Sequence, residues 1–184
     1  MLPWGEDECV LCEVVLIPGR EGTYAPGTFH LDPYDLPTWQ PTAGNIGGAL
    51  EFSGNGGYVD VGSVGISDHA PRTIAGWAKA SNTVIPNWTT VFGFAHDGSG
   101  NNTYFDIEVD DSGNYVFHVY AWEPVLCPVD TDWHHFAATY DGGVASWYLD
   151  GNLIGSETRT LSTIDEVTIG ASSLSILYLW VESL

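Results

Sequence analysis

Positive charge is the scarcest property of this chain. Four Lys and Arg residues stand against 24 Asp and Glu, a formal net charge of −20 at pH 7. Phosphate backbones are bound by clustered Lys and Arg, so this balance excludes nucleic acid as a partner and disfavours anionic membrane surfaces. Two readings of the acidic surplus stay open: solubility outside the cell, or surface carboxylates suited to divalent cations or a salty medium. No apolar run reaches the roughly 18–20 residues that a membrane helix needs, so no membrane insertion is expected. No segment of helical period is long enough to support a helix, and no repeat recurs at a fixed period.

Cysteine is also sparse, at Cys9, Cys12 and Cys127. Cys9-x-x-Cys12 has no second Cys pair and no His pair at ligand spacing, which argues against a cysteine-based zinc site. His134 and His135 are adjacent, so on a strand they point to opposite faces. One disulfide between Cys127 and Cys9 or Cys12 is the expectation, with buried inert thiols as the alternative. The N-terminus, MLPWGEDECV, is acidic and shows no signal peptide. A nucleophile elbow, a phosphate-cradling glycine loop and a metalloprotease helix are all missing.

What the chain does have is glycine, proline and aromatics. It contains 22 Gly and 10 Pro, with 13% aromatic residues. Turn signals recur about every 8–12 residues, the pattern of an all-β sandwich. A length of 184 residues fits one domain over 1–184. The densest signal is Trp133–Ser156. Trp133–Tyr140 reads as a strand, Asp141-Gly142-Gly143 as a turn, and Val144–Leu149 as a second strand. Asp150-Gly151 is then a two-residue hairpin turn.

This stretch resembles the signature of laminin-G-like jelly-roll domains, within the concanavalin A-like lectin/glucanase superfamily. The resemblance covers residues 44–170. Gly44–Gly62 is similar to that family's opening strand pair, Thr73–Ala80 to its tryptophan strand, Tyr104–Trp122 to its central hairpin and Glu166–Ala171 to a late strand. It implies a two-sheet antiparallel jelly roll, an extracellular or cell-surface location, and Ca2+ as a possible cofactor. The apolar C-terminus, SSLSILYLWVESL, lacks the acidic-basic pair with which members usually close.

The Tyr104–Trp122 hairpin is the most informative segment for function. Phe105, Ile107 and Val109 take one face of its first strand; Tyr104, Asp106, Glu108 and Asp110 take the other. A three-residue loop, Asp111-Ser112-Gly113, with glycine in the left-handed position, sets Asp106 opposite His118 and Tyr104 opposite Tyr120. A two-residue loop would mix apolar and polar faces, so the hydrophobic pattern selects the first register. The second face then carries Tyr104, Asp106, Glu108, His118, Tyr120 and Trp122. Aromatic rings stack on the C–H face of a pyranose and carboxylates accept its hydroxyls, so these six, with Trp88 from an overhanging loop, are the candidate carbohydrate-binding residues. The ordinary alternative is a solvated outer face.

Three function classes are therefore weighed. The first is a non-catalytic module binding glycans or glycoproteins. The second is a structural or adhesion subunit that self-associates through its terminal strands into a filament or surface layer, since Ser175–Val181 is a strongly β-forming segment that would template pairing at an edge. Its alternative is closure of its own sandwich, for instance against Val10–Ile17. The third is a glucanase-type glycoside hydrolase. Asp106, Glu108 and Asp110 alternate on one face, but the acids of a retaining enzyme lie about 5–5.5 Å apart and Asp110 sits at a turn. For a metal, Asp97 and Asn101 in the polar loop after Ala95 are weak oxygen ligands for calcium. Sequons at Asn87 and Asn101 would matter only in a glycosylating source.

Overall fold

The structure, a computed structural model, describes residues 30–31, 37–53, 58–83, 85, 88–94, 103–119, 122–170 and 176–180, with the backbone alone at 30, 31, 53, 60, 62 and 176–180. In chain order the strands are β1 (His30–Leu31), β2 (Thr38–Gln40), β3 (Ala49–Ser53), β4 (Val59–Gly62), β5 (Arg72–Ala80), β6 (Thr89–Phe94) and β7 (Phe105–Val109). They continue as β8 (Asn114–His118), β9 (Val125–Pro128), β10 (His134–Tyr140), β11 (Val144–Leu149), β12 (Asn152–Thr158), β13 (Val167–Ile169) and β14 (Ile176–Trp180). One sheet runs β1-β4-β13-β6-β7-β8-β9, the other β12-β11-β10-β5-β14-β3-β2. The architecture is an all-β, two-sheet antiparallel sandwich of the jelly-roll type, as the turn spacing implies. Among the described residues no helix is long and apolar enough to cross a membrane.

Alternation explains the layers. Along β5, Arg72, Ile74, Gly76, Ala78 and Ala80 are buried while the residues between them are half-buried. Aromatic side chains from the two sheets meet between them. Tyr115 lies 4.8 Å from Phe136, Phe117 5.8 Å from Trp147 and Phe105 6.4 Å from Tyr140, ring centre to ring centre. Truncating one such ring in a core typically costs about 3–5 kcal/mol.

Arg72 is the exception to an apolar core, at 2% exposure. Its Nε donates to Ala70 O at 3.0 Å, one Nη to Asp68 O at 2.8 Å and the other to Thr163 Oγ1. Its guanidinium lies 4.5 Å over Phe94. Burial lowers its pKa to about 10, so it stays charged at neutral pH with every partner in place.

Trp133–Ser156 folds as its turn residues dictate. Asp150 and Gly151 take φ of +49° and +78° between β11 and β12. Trp147 and Leu149 share the core face, as period two requires. The Asp150 carboxylate also reaches back, accepting the His135 N–H at 2.8 Å and meeting His134 Nδ1 at 2.8 Å, while His134 Nε2 meets Asp130 at 3.2 Å.

Several expectations are corrected here. The described part of the apolar C-terminal segment, β14, is not an edge strand. β14 lies between β5 and β3 and is paired on both sides, so its backbone offers no free ladder for a second copy. It closes its own sandwich, and the suggested partner, Val10–Ile17, lies outside the described residues. Among the described residues Cys127 is a free thiol, half-buried in β9, and the partners expected for it are not among them. Burial raises its pKa to about 11, which keeps it protonated and unreactive. Cys9 and Cys12 lie outside the described residues.

The His134 contacts predict a pH-dependent stability. Burial opposes the charge on His134, but its bonds to Asp150 and Asp130 hold its pKa above 6.5. Burial also opposes the charge on Asp130, whose pKa nonetheless lies below 3.8 through the Asp132 N–H and His134. The histidine's contribution is full below pH 6.5 and fades as pH rises through its raised folded value. Asp130's contribution is full above pH 3.8 and fades as pH falls through its lowered folded value. In thermal melts, the Tm gap between the natural chain and His134→Gln is expected to be widest near pH 5–6 and to close in alkali. A pH-independent gap would contradict this.

Candidate functional site

The site grows from the β7–β8 hairpin. Its turn is built by Asp110, whose Oδ1 accepts the N–H of Ser112 at 2.9 Å and of Asn114 at 2.8 Å. Gly113 follows at φ +76°, the left-handed position anticipated for it. The register is the one the hydrophobic pattern selects: Asp106 lies opposite His118, Ile107 opposite Phe117 and Val109 opposite Tyr115. With its carboxylate committed to the turn, Asp110 takes no part in an acid row with Asp106 and Glu108.

On the face away from the core, three side chains converge. His118 Nδ1 is 3.2 Å from Asp106 Oδ1 and 3.0 Å from Glu108 Oε1. The ring's hydrogen bond goes to Asp106. Glu108 Oε1, though close, lies outside hydrogen-bonding geometry and has no donor. Glu123 Oε1 stands behind the ring, 3.8 Å from Nε2. The Tyr104 ring lies 4.3 Å from the His118 ring, and the Trp88 ring 6.4 Å.

Neighbouring strands shape this cluster. Gly93 on β6 faces Asp106, and a Cβ there would stand 2.1 Å from the Asp106 Cβ and 2.4 Å from its Cα. Glycine inside a strand marks such a close approach. Trp88 precedes β6 at φ +61°, rare for a bulky residue, with its N–H bonded to Val109 O at 2.7 Å. Trp88 is 44% exposed.

The electrostatics follow from burial. Asp106, Glu108 and His118 are only 2–5% exposed. Burial first, then the Asp106 charge, pushes Glu108 well above the ordinary carboxylate range, against the opposing effect of His118. Burial resists charge on His118, but the Asp106 hydrogen bond and the surrounding carboxylates raise its pKa overall. Two carboxylates on one imidazole can share a proton or hold a cation.

The structure thus unites Tyr104, Asp106, Glu108, His118 and Trp88 from among the sequence candidates. It corrects two expectations about them. The second face is not a solvated surface, since β7 is buried on both sides. Trp122 is not on that face. β8 ends at His118, and Val119 and Trp122 form a tight two-bond bridge that reverses the chain, so alternation stops. Trp122 packs 4.7 Å from Trp147 and 6.1 Å from Phe117, under the Arg159 guanidinium. Tyr120, Asp97, Asn101 and Asn87 lie outside the described residues. Glu123 was not singled out from the sequence; Gly93 carried a signal, as a glycine between apolar residues of a strand.

A family model described as the concanavalin A-like lectin/glucanases superfamily, of the laminin-G-like type, matches residues 53–177. The chain belongs to this superfamily. None of the curated proteins compared with it matches the sequence. Among solved structures, it is similar to domain 4 of an extracellular arabinanase from Geobacillus stearothermophilus, in complex with arabinotriose. That likeness has 19% identity and a TM-score of 0.59, over 89% of this chain and 85% of that one. An endo-β-1,4-glucuronan lyase from Trichoderma reesei is similar at 11% identity and TM-score 0.55, over 90% and 92% of the two chains. A Trypanosoma rangeli sialidase in complex with a difluoro-nononic acid is similar at 15% identity and TM-score 0.56, over 97% of this chain but 32% of that one. At these identities the likeness shows a shared fold, in structural neighbours that are carbohydrate-active.

The close approach at Gly93 gives a test of the site's construction. Gly93→Ala is expected to destabilise the domain by about 1–3 kcal/mol, the range for overpacking, because it meets backbone as well as side chain. Chemical denaturation measures this, and an unchanged midpoint would show that β6 and β7 are less tightly apposed.

Proposed function

We propose that this superfamily member is a non-catalytic carbohydrate-binding module of an extracellular protein, taking a glycan or the glycan of a glycoprotein on Trp88 and Tyr104. The observation that carries it is Trp88: a bulky ring kept half-exposed at a positive φ, beside Tyr104 and His118. Such backbone conformations cost about 1–3 kcal/mol and cluster at ligand sites. An exposed tryptophan ring suits a sugar, whose C–H face stacks on it. The arabinotriose complex of a similar domain supports the same class of ligand.

Binding is favoured over hydrolysis on geometry. A glycosidase needs its two carboxyls on either side of the scissile bond, about 5–5.5 or 6.5–9.5 Å apart. Here Asp106 and Glu108 turn inward onto one imidazole nitrogen and are enclosed.

A glycan array of plant, algal and microbial oligosaccharides, arabino-oligosaccharides included, is expected to give specific hits. Trp88→Ala is expected to weaken the best of them at least about tenfold, the worth of one aromatic stacking contact, with the melt unchanged. No hits across the array, or equal binding by the variant, would count against this reading. Release of reducing ends from β-glucans, abolished in Glu108→Gln, would replace it with the hydrolase.

A further inference from the structure

We propose that Asp106, Glu108 and His118 form a site for one divalent transition-metal ion of the zinc class. The inference goes beyond sugar binding and does not depend on it. Among the described residues, these three are the one group of His, Cys, Asp and Glu side chains whose ligand atoms, one from each, lie within 4.8 Å of one another. A metal with bonds of about 2.0–2.2 Å spaces adjacent ligands by about 3.0–3.5 Å. The nitrogen-to-oxygen separations of 3.2 and 3.0 Å fall in that range.

A second observation points to a ligand. Glu108 is 3% exposed and its Oε1, 3.0 Å from His118 Nδ1, receives no hydrogen bond. A buried carboxylate oxygen without a partner is costly, and a cation between it and Asp106 relieves that cost. The outer arrangement agrees. A histidine that binds metal through one nitrogen usually presents the other to a carboxylate, and Glu123 stands 3.8 Å from Nε2. Trp88 and Tyr104 supply the apolar surroundings over the ring.

The donor set selects the ion. One imidazole and two carboxylates suit a first-row divalent metal. Calcium takes about six to eight oxygen ligands and draws little from a nitrogen. The site also differs in kind from the cysteine-based zinc motif that Cys9-x-x-Cys12 fails to complete, and from the loop ligands Asp97 and Asn101.

The test uses the full chain after treatment with a chelator. Zinc chloride titrated by calorimetry is expected to bind at one equivalent and to raise the Tm. Cobalt(II) in its place is expected to give visible absorption bands from nitrogen and oxygen ligation. Glu108→Gln keeps the shape of the side chain and removes its charge, and Asp106→Asn does the same opposite it. Each is expected to weaken zinc at least tenfold while the far-ultraviolet dichroism stays unchanged, with His134→Gln binding as tightly as the natural chain. Failure to find a saturable one-equivalent site, or equal affinity in the natural chain and both site variants, would overturn the proposal and leave the cluster as a proton-sharing network. Neither outcome touches glycan binding, which the array reads separately.

Discussion

The hydrogen bonds of Asp110 to its own turn set the register on which the site depends. Oδ1 takes the N–H groups of Ser112 and Asn114, and Gly113 completes the loop in a conformation that costs most side chains about 1–2 kcal/mol. Slide β8 by one residue and every side chain on it changes face. Phe117 would then leave the aromatic layer it shares with Phe105 and Trp147, and His118 would enter it. The core and the polar cluster are thus two readings of one register. The apolar face selects the same register as the turn.

Two buried charged groups show how differently this fold treats charge. Arg72 is enclosed, but three acceptors and the face of Phe94 surround it. Glu108 is equally enclosed, yet one of its oxygens has no donor. The other described buried atoms lacking a hydrogen bond are Tyr115 Oη and Arg159 Nε, neither of them a carboxylate. Burying a charge costs several kcal/mol unless it is paired, so Arg72 keeps its charge among its partners while burial pushes Glu108 towards its neutral form.

Much of this was legible in residue order. Strict alternation in β7, the Asp-Ser-Gly loop and the Asp150-Gly151 turn sufficed to place Asp106 against His118 and to pair Ile107 with Phe117. What alternation could not reveal is what lies over a face. It assigned Asp106 and Glu108 to the side away from the core, and their burial depends on residues distant in sequence. Trp88 approaches through a positive φ that no residue type there announces. Alternation also continues on paper past the end of a strand, and so it misplaced Trp122, whose chain has already reversed at Val119. Glu123 escaped notice because it follows that reversal. For the apolar segment at residues 175–181, composition left an edge and closure of its own sandwich both open, because it records the need for partners and not their number.

The signature stretch that labels the family lies in the other sheet, and this separation is informative. β10 and β11 carry Phe136, Tyr140 and Trp147, which support the inner face of β7 and β8. The outer face of the same two strands is then free to vary in chemistry without loss of the core. Trp88 hangs from Val109 O, on the strand that bears Asp106 and Glu108, and its ring neighbours His118. Tyr104 neighbours the same ring. Both rings therefore neighbour one imidazole, which lies against two carboxylates. The polar cluster and the two rings beside it thus sit over the outer face of strands whose inner face the signature strands support.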